Sequence, residues 1–247
     1  MFYCAFVLRC GRKGLVINMK KYQAVIFDLD GVIVSTDEFH YLAWKCIADR
    51  ERIPFDHEVN NRMRGVSRMA SLDILLEAAL RTYSEEEKQI LAQEKNNYYV
   101  NLLANLKPDD ILPGVIQLLE NLKKYGVQVA VGSSSKNALF ILKQIGLDNF
   151  FDAVVDGNQI VHTKPNPEVF LLAAKKLGLQ PHQCVVLEDA PAGIEAAISG
   201  GFKAVAIGDA VKDIKLSSYK VHSLEQLDIE ELISETDGIL EESNHYE

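Results

Sequence analysis

Basic residues are in short supply in this chain. Lys and Arg number 26 against 35 Asp and Glu, a net charge of −9. That balance excludes a broad nucleic-acid surface. An anionic substrate is left room only where basic side chains gather locally. Cysteine is scarce as well. Cys4, Cys10, Cys46 and Cys184 form no Cys-x-x-Cys and no His/Cys cluster. This argues against structural zinc and a disulfide framework, and for a reducing cytoplasm. No apolar run approaches the roughly 20 residues of a membrane span. Phe2 to Leu8 is a short apolar run, but its basic residues follow instead of preceding it, the wrong order for a signal peptide. No internal repeat is present. What remains is a globular composition, 48% hydrophobic and 25% charged, large enough for one big domain or a domain with an insertion.

The most informative string is Phe27-Asp28-Leu29-Asp30-Gly31-Val32. It follows Ala24-Val25-Ile26-Phe27, an apolar run that reads as a buried strand. Residues two apart on a strand share a face, so Asp28 and Asp30 project together and Leu29 points into packing. Gly31 permits a sharp turn. Two adjacent acids repel unless a cation or a proton separates them. Such a pair can hold Mg²⁺, and it can divide into a nucleophile and a proton-transfer group.

Beyond Gly31 the pattern is helical. Leu42, Ala43, Cys46 and Ile47 predict a helix over Asp37 to Arg50, ended by Pro54. Polar, basic sequence through Arg62 to Arg68 leads to a helix near Met69 to Leu80. Ser84-Glu85-Glu86-Glu87 is a capping box opening another helix, to about Leu103. No strand pattern lies between Thr36 and Asp110. From Pro113 strands and helices alternate. Helices are expected between Pro113 and Gly126, over Lys136–Ile145, between Asn166-Pro167 and Gly178, and over Pro191–Ser199. Strands are expected over Val127–Val131, Ala153–Val155, Cys184–Leu187 and Ala204–Ile207, with a weaker one near Tyr219–Val221. This predicts an α/β fold: a doubly wound parallel sheet with a Rossmann-like core and an inserted all-helical cap domain. Residues 19–35 and 113–225 form the core, 36–112 the cap, and 226–247 a C-terminal helix and tail, acidic from Glu235. Residues 1–18 read as a mis-assigned upstream extension before a natural start at Met19, the alternative being a real N-terminal strand or arm. Deleting them is expected to leave fold and activity nearly unchanged.

Ligands of open parallel sheets bind beyond the carboxyl ends of the strands. Those ends deliver Asp28 and Asp30, then Gly132-Ser133-Ser134-Ser135-Lys136-Asn137, then Thr163-Lys164-Pro165, then Glu188-Asp189. They supply hydroxyls and amides for phosphate oxygens, a lysine for phosphate charge, and acids for a metal. Each alone is an ordinary loop. All four in order, each just past a strand, form a far stronger pattern.

On these motifs the chain resembles the haloacid dehalogenase superfamily of phosphotransferases, over about Tyr22 to Asp209. The helical insertion is similar to that superfamily's cap. Within it, Thr36 to His40 with Ala43-Trp44-Lys45, Gly65-Val66-Ser67-Arg68 and Lys95-Asn96 resemble the β-phosphoglucomutase branch, as does Ser135-Lys136-Asn137 in the core.

The resemblance implies an isomerase converting β-glucose 1-phosphate to glucose 6-phosphate through a bisphosphorylated sugar. Asp28 would be the nucleophile that becomes an aspartyl-phosphate, and Asp30 the general acid and base. Mg²⁺ would be held by the Asp28 carboxylate, the Asp30 carbonyl, Asp189 and Glu188. Ser133 and Lys164 would bind the transferring phosphoryl; Arg68, Ser135, Lys136 and Asn137 would bind the second phosphate. His40 and Lys95 would meet the sugar or couple its arrival to cap closure, and Thr36 would sit at the hinge. Trp44 reads as cap core. The enzyme would act in the cytoplasm as a monomer on small sugar phosphates, without nucleic acid or membrane. In one departure, Ser35 stands where the family usually has Asp. The competing function is a phosphatase of sugar phosphates or other small molecules on the same fold. His40, Arg68 and Lys95 favour the mutase. Intact Asp28, Asp30, Lys164 and Asp189 argue against a non-catalytic regulator, and Asp30 with the metal acids against a dehalogenase.

Overall fold

The computed structural model describes residues 21–63, 66–208 and 219–233. The 1–18 extension, the start at Met19 and the tail from Glu235 lie outside the described residues. Six strands form one parallel sheet in the order β3-β2-β1-β4-β5-β6: β1 Ala24–Phe27, β2 Gln128–Gly132, β3 Ala153–Val155, β4 Cys184–Glu188, β5 Lys203–Ile207 and β6 Tyr219–Val221. The weak Tyr219–Val221 pattern is a real strand, completed by its ladder with β5.

The whole of β1 is buried, and its residues alternate between two cores. Val25 and Phe27 join Val129, Val131, Val185 and Leu187 on one face. Helices α5 (Val115–Lys124), α6 (Ala138–Gln144) and α9 (Ile229–Ile233) cover that face. Ala24 and Ile26 join Ala130, Val186, Ala204 and Ala206 on the other, under α7 (Glu168–Leu177) and α8 (Pro191–Ser199). Strands buried on both faces need uninterrupted apolar runs, which is what the sequence shows.

Between β1 and α5 stands a helical block: α1 Asp37–Glu51, α2 His57–Asn61, α3 Arg68–Leu76 and α4 Glu85–Leu103. It has a core of its own, with Trp44, Ile47, Phe55, Leu72, Leu75 and Leu91 buried together. Trp44 thus belongs to this core, as expected. The Ser84 hydroxyl accepts from Glu87 N–H at 3.2 Å, and the Glu87 carboxylate accepts from Ser84 N–H at 2.8 Å, so the capping box forms as read.

Three local readings need correction. Helix α1 runs to Glu51, one residue past the expected Arg50, and what stops it is the left-handed backbone of Arg52 (φ 59°), not Pro54. Helix α3 stops at Leu76, because Leu80 is fully exposed and has no core to face. Helix α2, which the sequence reading did not predict, stands just before the polar run Arg62 to Arg68 and is opened by Asp56, whose carboxylate accepts from Val59 N–H at 2.9 Å.

Candidate active site

Strand order sets the site. Chain connections run from β1 outward through β2 and β3, and from β4 outward through β5 and β6 on the other side. The topological switch therefore falls between β1 and β4, where a crevice opens at the carboxyl ends. Phe27 pairs with Leu187, so Asp28 lies level with Glu188; Phe27 also pairs with Val131, which brings Ser133 alongside. Asp28, Ser133, Lys164, Glu188 and Asp189 are all buried there.

Lys164 Nζ donates to Asp28 Oδ1, and to Glu188 Oε1 at 2.7 Å. Burial opposes its charge, but the two carboxylates overcome this and push its pKa up. The second Glu188 oxygen accepts from Ala190 N–H at 2.7 Å. Carboxylate oxygens of Asp28, Glu188 and Asp189 lie within 4.8 Å of one another. Burial raises the Asp28 pKa well above its ordinary value; Lys164 opposes the shift, and Glu188, Asp189 and Asp30 add to it. Such a crowd of hard oxygen donors suits a small divalent cation. Two glycines leave the space. A Cβ on Gly31 (φ +89°) would stand 2.1 Å from Asp189 Oδ2, and one on Gly193 would stand 1.8 Å from Glu188 Oε1.

The Asp30 carboxylate stands apart from this cluster and accepts from the Thr36 hydroxyl. Any share of Asp30 in a cation would fall to its backbone carbonyl. Burial raises its pKa to about 6, against the pull of Thr36. A carboxyl poised there can both give and take a proton near neutrality.

The loop after β2 curls on its own hydroxyls. Ser133 Oγ accepts from Ser135 N–H at 3.0 Å, and Ser135 Oγ accepts from Asn137 N–H at 3.2 Å. The loop after β3 braces it: Gly157 N–H donates to Ser135 O at 3.1 Å, and Asn158 Nδ2 to Lys136 O at 2.9 Å.

The helical block closes the opposite wall. Lys95, 2% exposed, lies 2.8 Å from His40 Nδ1 and over the rings of Tyr99 and Trp44. Burial lowers its pKa to about 7; nearby Arg68 lowers it further and Asp30 opposes. Burial, then Lys95 and Arg68, hold His40 well below its ordinary value, so its imidazole is neutral. Arg68 and Asn137 both donate to Asn96 Oδ1, at 2.7 and 3.0 Å. The cavity between the two walls comprises about 1080 Å³, part of it open to solvent, and takes in every candidate residue except Thr36, which bonds Asp30 just behind the wall.

Sequence reasoning missed Tyr99 and Ser71, which line this cavity, and gave Ser134 and Asn96, named only within their motifs, no individual role. The Tyr99 and Ser134 hydroxyls are buried without a hydrogen-bond partner among the described residues. A signal existed for two of them: Tyr99 is four residues after Lys95, and Ser71 three after Arg68, so each shares a helix face with a residue already singled out.

Comparisons with known proteins agree with this geometry. The model of a family described as haloacid dehalogenase-like hydrolase matches residues 22–201. The chain is 45% identical over 188 residues to a β-phosphoglucomutase of Bacillus subtilis, covering 75% of this chain and 83% of that protein. A crystal structure of β-phosphoglucomutase from Clostridium difficile matches with a TM-score of 0.81 at 40% identity, over 85% of this chain and 95% of that one. The chain is also 33% identical, over 186 residues, to a phosphorylated carbohydrates phosphatase of Thermotoga maritima, covering 74% of this chain and 83% of that one.

Proposed function

The chain belongs to the haloacid dehalogenase-like hydrolase family, and on that premise we propose that it is a β-phosphoglucomutase, an isomerase-class phosphotransferase interconverting β-D-glucose 1-phosphate and glucose 6-phosphate. The observation that carries the mutase reading is a second cationic site. Arg68 and Asn137 line the same cavity as Asp28 and Lys164 and meet at Asn96, away from the Lys164 ion pairs. A mutase must grip a distal phosphate while its bisphosphorylated sugar turns around; a simple phosphatase has no such need.

In the proposed cycle an Asp28 oxygen bonds to phosphorus as the bond from phosphorus to a sugar oxygen breaks. Asp30 gives that oxygen its proton, leaving a monophosphate and an aspartyl-phosphate. The next β-glucose 1-phosphate then loses the proton of its free 6-hydroxyl to Asp30, and that oxygen takes the phosphoryl as the bond from phosphorus to Asp28 breaks. The bisphosphate so formed turns around to present its 1-phosphate to Asp28. Lys164 and Ser133 hold the oxygens in transfer, where charge stabilisation and positioning do most of the catalysis. Mg²⁺ fits the donor set of Asp28, Glu188, Asp189 and the Asp30 carbonyl, and would offset the charge gathered there. Arg68, Ser135, Lys136 and Asn137 take the distal phosphate, while His40 and Lys95 meet the sugar. Thr36 positions Asp30 at the hinge. Residues 36–112 act as a cap excluding water, which would otherwise hydrolyse the aspartyl-phosphate. On this reading the enzyme is a cytoplasmic monomer acting on small sugar phosphates.

Product analysis tests the reading. With β-glucose 1-phosphate, Mg²⁺ and a trace of bisphosphate primer, glucose 6-phosphate is expected; free glucose and phosphate would make the protein a phosphatase. Arg68→Ala provides a sharper check. Losing a charge-assisted, bidentate phosphate contact costs about 2–4 kcal/mol, roughly 30- to 1,000-fold in rate. The loss is expected in mutase turnover and far less in acetyl phosphate hydrolysis, since acetyl phosphate has no distal group. Equal losses on both substrates would assign Arg68 to folding or cap closure instead.

Lys95 adds a pH dependence. Its ammonium is half neutralised near pH 7 in the empty site, and an anionic substrate favours the charged form. Binding at pH 8 should therefore take up a proton, and affinity should fall as pH rises from about 7 to 9. Calorimetry in buffers of different ionisation heat reads this uptake directly. Lys95→Met should abolish it. A heat independent of buffer in the unmutated protein would refute the assignment.

A further inference from the structure

Asn96 is the point where the helical block and the α/β core share a hydrogen-bond acceptor. Its Oδ1 takes Arg68 Nη2 at 2.7 Å from the start of α3 and Asn137 Nδ2 at 3.0 Å from the turn before α6. Among the described residues no carboxylate forms a salt bridge with Arg68. This half-buried guanidinium is therefore held by a neutral amide and keeps its full charge. Burial works against that charge and lowers its pKa. The charge is also felt nearby, where Arg68 helps to push Lys95 and His40 down.

Two donors thus converge on one uncharged oxygen. An anion bringing oxygens to this place would find both donors aimed and a positive charge not yet neutralised. Resting on the mutase reading, we propose that Asn96 is the positioning residue of the distal phosphate site: it gathers Arg68 and Asn137 without neutralising Arg68, and yields both donors to the incoming phosphate. The residue type matters because aspartate has nearly the same shape and would bond both donors more strongly. It would also pair with Arg68 and set a like charge against the phosphate. A merely structural bridge would be kept by aspartate and lost in alanine. The proposed role predicts the opposite order.

The test compares Asn96→Asp and Asn96→Ala, each combined with Asp28→Asn to prevent turnover. Affinity for β-glucose 1,6-bisphosphate is measured by calorimetry. Asn96→Ala should weaken binding by less than about tenfold, the loss of a neutral bridge. Asn96→Asp should weaken it by about 30-fold or more. With Asp28 intact, both variants should hydrolyse acetyl phosphate within about threefold of the parent chain, since one phosphate needs no distal site. An Asp variant that binds as tightly as the Ala variant, or more tightly, overturns the proposal. So does an equal loss on acetyl phosphate. Release of free glucose by the unmutated chain would count against the mutase reading alone, because the order of bisphosphate affinities is read without turnover.

Discussion

Asp28→Asn is expected to lower turnover of β-glucose 1-phosphate by about 10⁴-fold or more and to leave no trapped phosphoenzyme. An amide is a poor nucleophile, and neither Glu188 nor Asp30 is free to take the place of Asp28. Glu188 is tied to Lys164 and to Ala190 N–H, and Asp30 is turned to Thr36. The same substitution should not weaken the fold. The folded Asp28 holds its proton more tightly than the unfolded one, since burial, against the pull of Lys164 and with help from three neighbouring acids, raises its pKa. The unfolded chain therefore ionises first, and stability falls as pH rises from about the unfolded value near 4 toward the raised folded value. A neutral Asn avoids that loss. The metal-free variant should thus melt at the same temperature at neutral pH as the parent chain, or higher. Inactivity with a lowered melting temperature would point to misfolding. Substantial turnover by the purified variant would remove Asp28 from the nucleophile's place.

Exhaustive chelation is expected to abolish mutase turnover, with activity restored by Mg²⁺. Three carboxylates with oxygens within 4.8 Å share the single charge of Lys164. Asp28 cannot present an ionised oxygen to phosphorus until that excess is offset. Binding a cation to the folded chain alone should also raise the melting temperature as Mg²⁺ is added. Asp189→Ala removes one donor and should raise the Mg²⁺ concentration for half-maximal activity by about 100-fold. It leaves the bonds of Lys164 to Asp28 and Glu188 in place. Titration of rate and melting temperature against Mg²⁺ reads both effects. Full activity after chelation would contradict the metal assignment.

Local pattern carried much of this protein. An apolar run buried on both faces, followed at once by Asp28-Leu29-Asp30-Gly31, could be read residue by residue, because strand burial and side-chain alternation are properties of short segments. The capping box at Ser84 is equally local. Ser133, Glu188 and Asp189 were legible because they stand at or just beyond the end of a strand, and parallel strands bring their ends to one edge; Lys164 was legible as part of the ordered set of motifs, though a loop separates it from β3. Arg68, His40 and Lys95 were reached only through resemblance, since an isolated basic residue on a helix has no pattern of its own. Helix α2 escaped because His57–Asn61 is too short to show a period.

Long-range pairing was decided by the tertiary structure alone. The bond from Lys164 to Asp28 spans 136 positions, and the register of β1 with β4 sets Glu188 beside them. Lys95 could pass for a solvated helix residue until the packing of α1 against α4 closed over it, lowering its pKa and turning it toward His40. Asn96 acquires its two donors only when α3, α4 and the turn before α6 meet. Its role depends on a neutral acceptor in a half-buried positive site. Sequence determines the neutrality; only the fold creates the site.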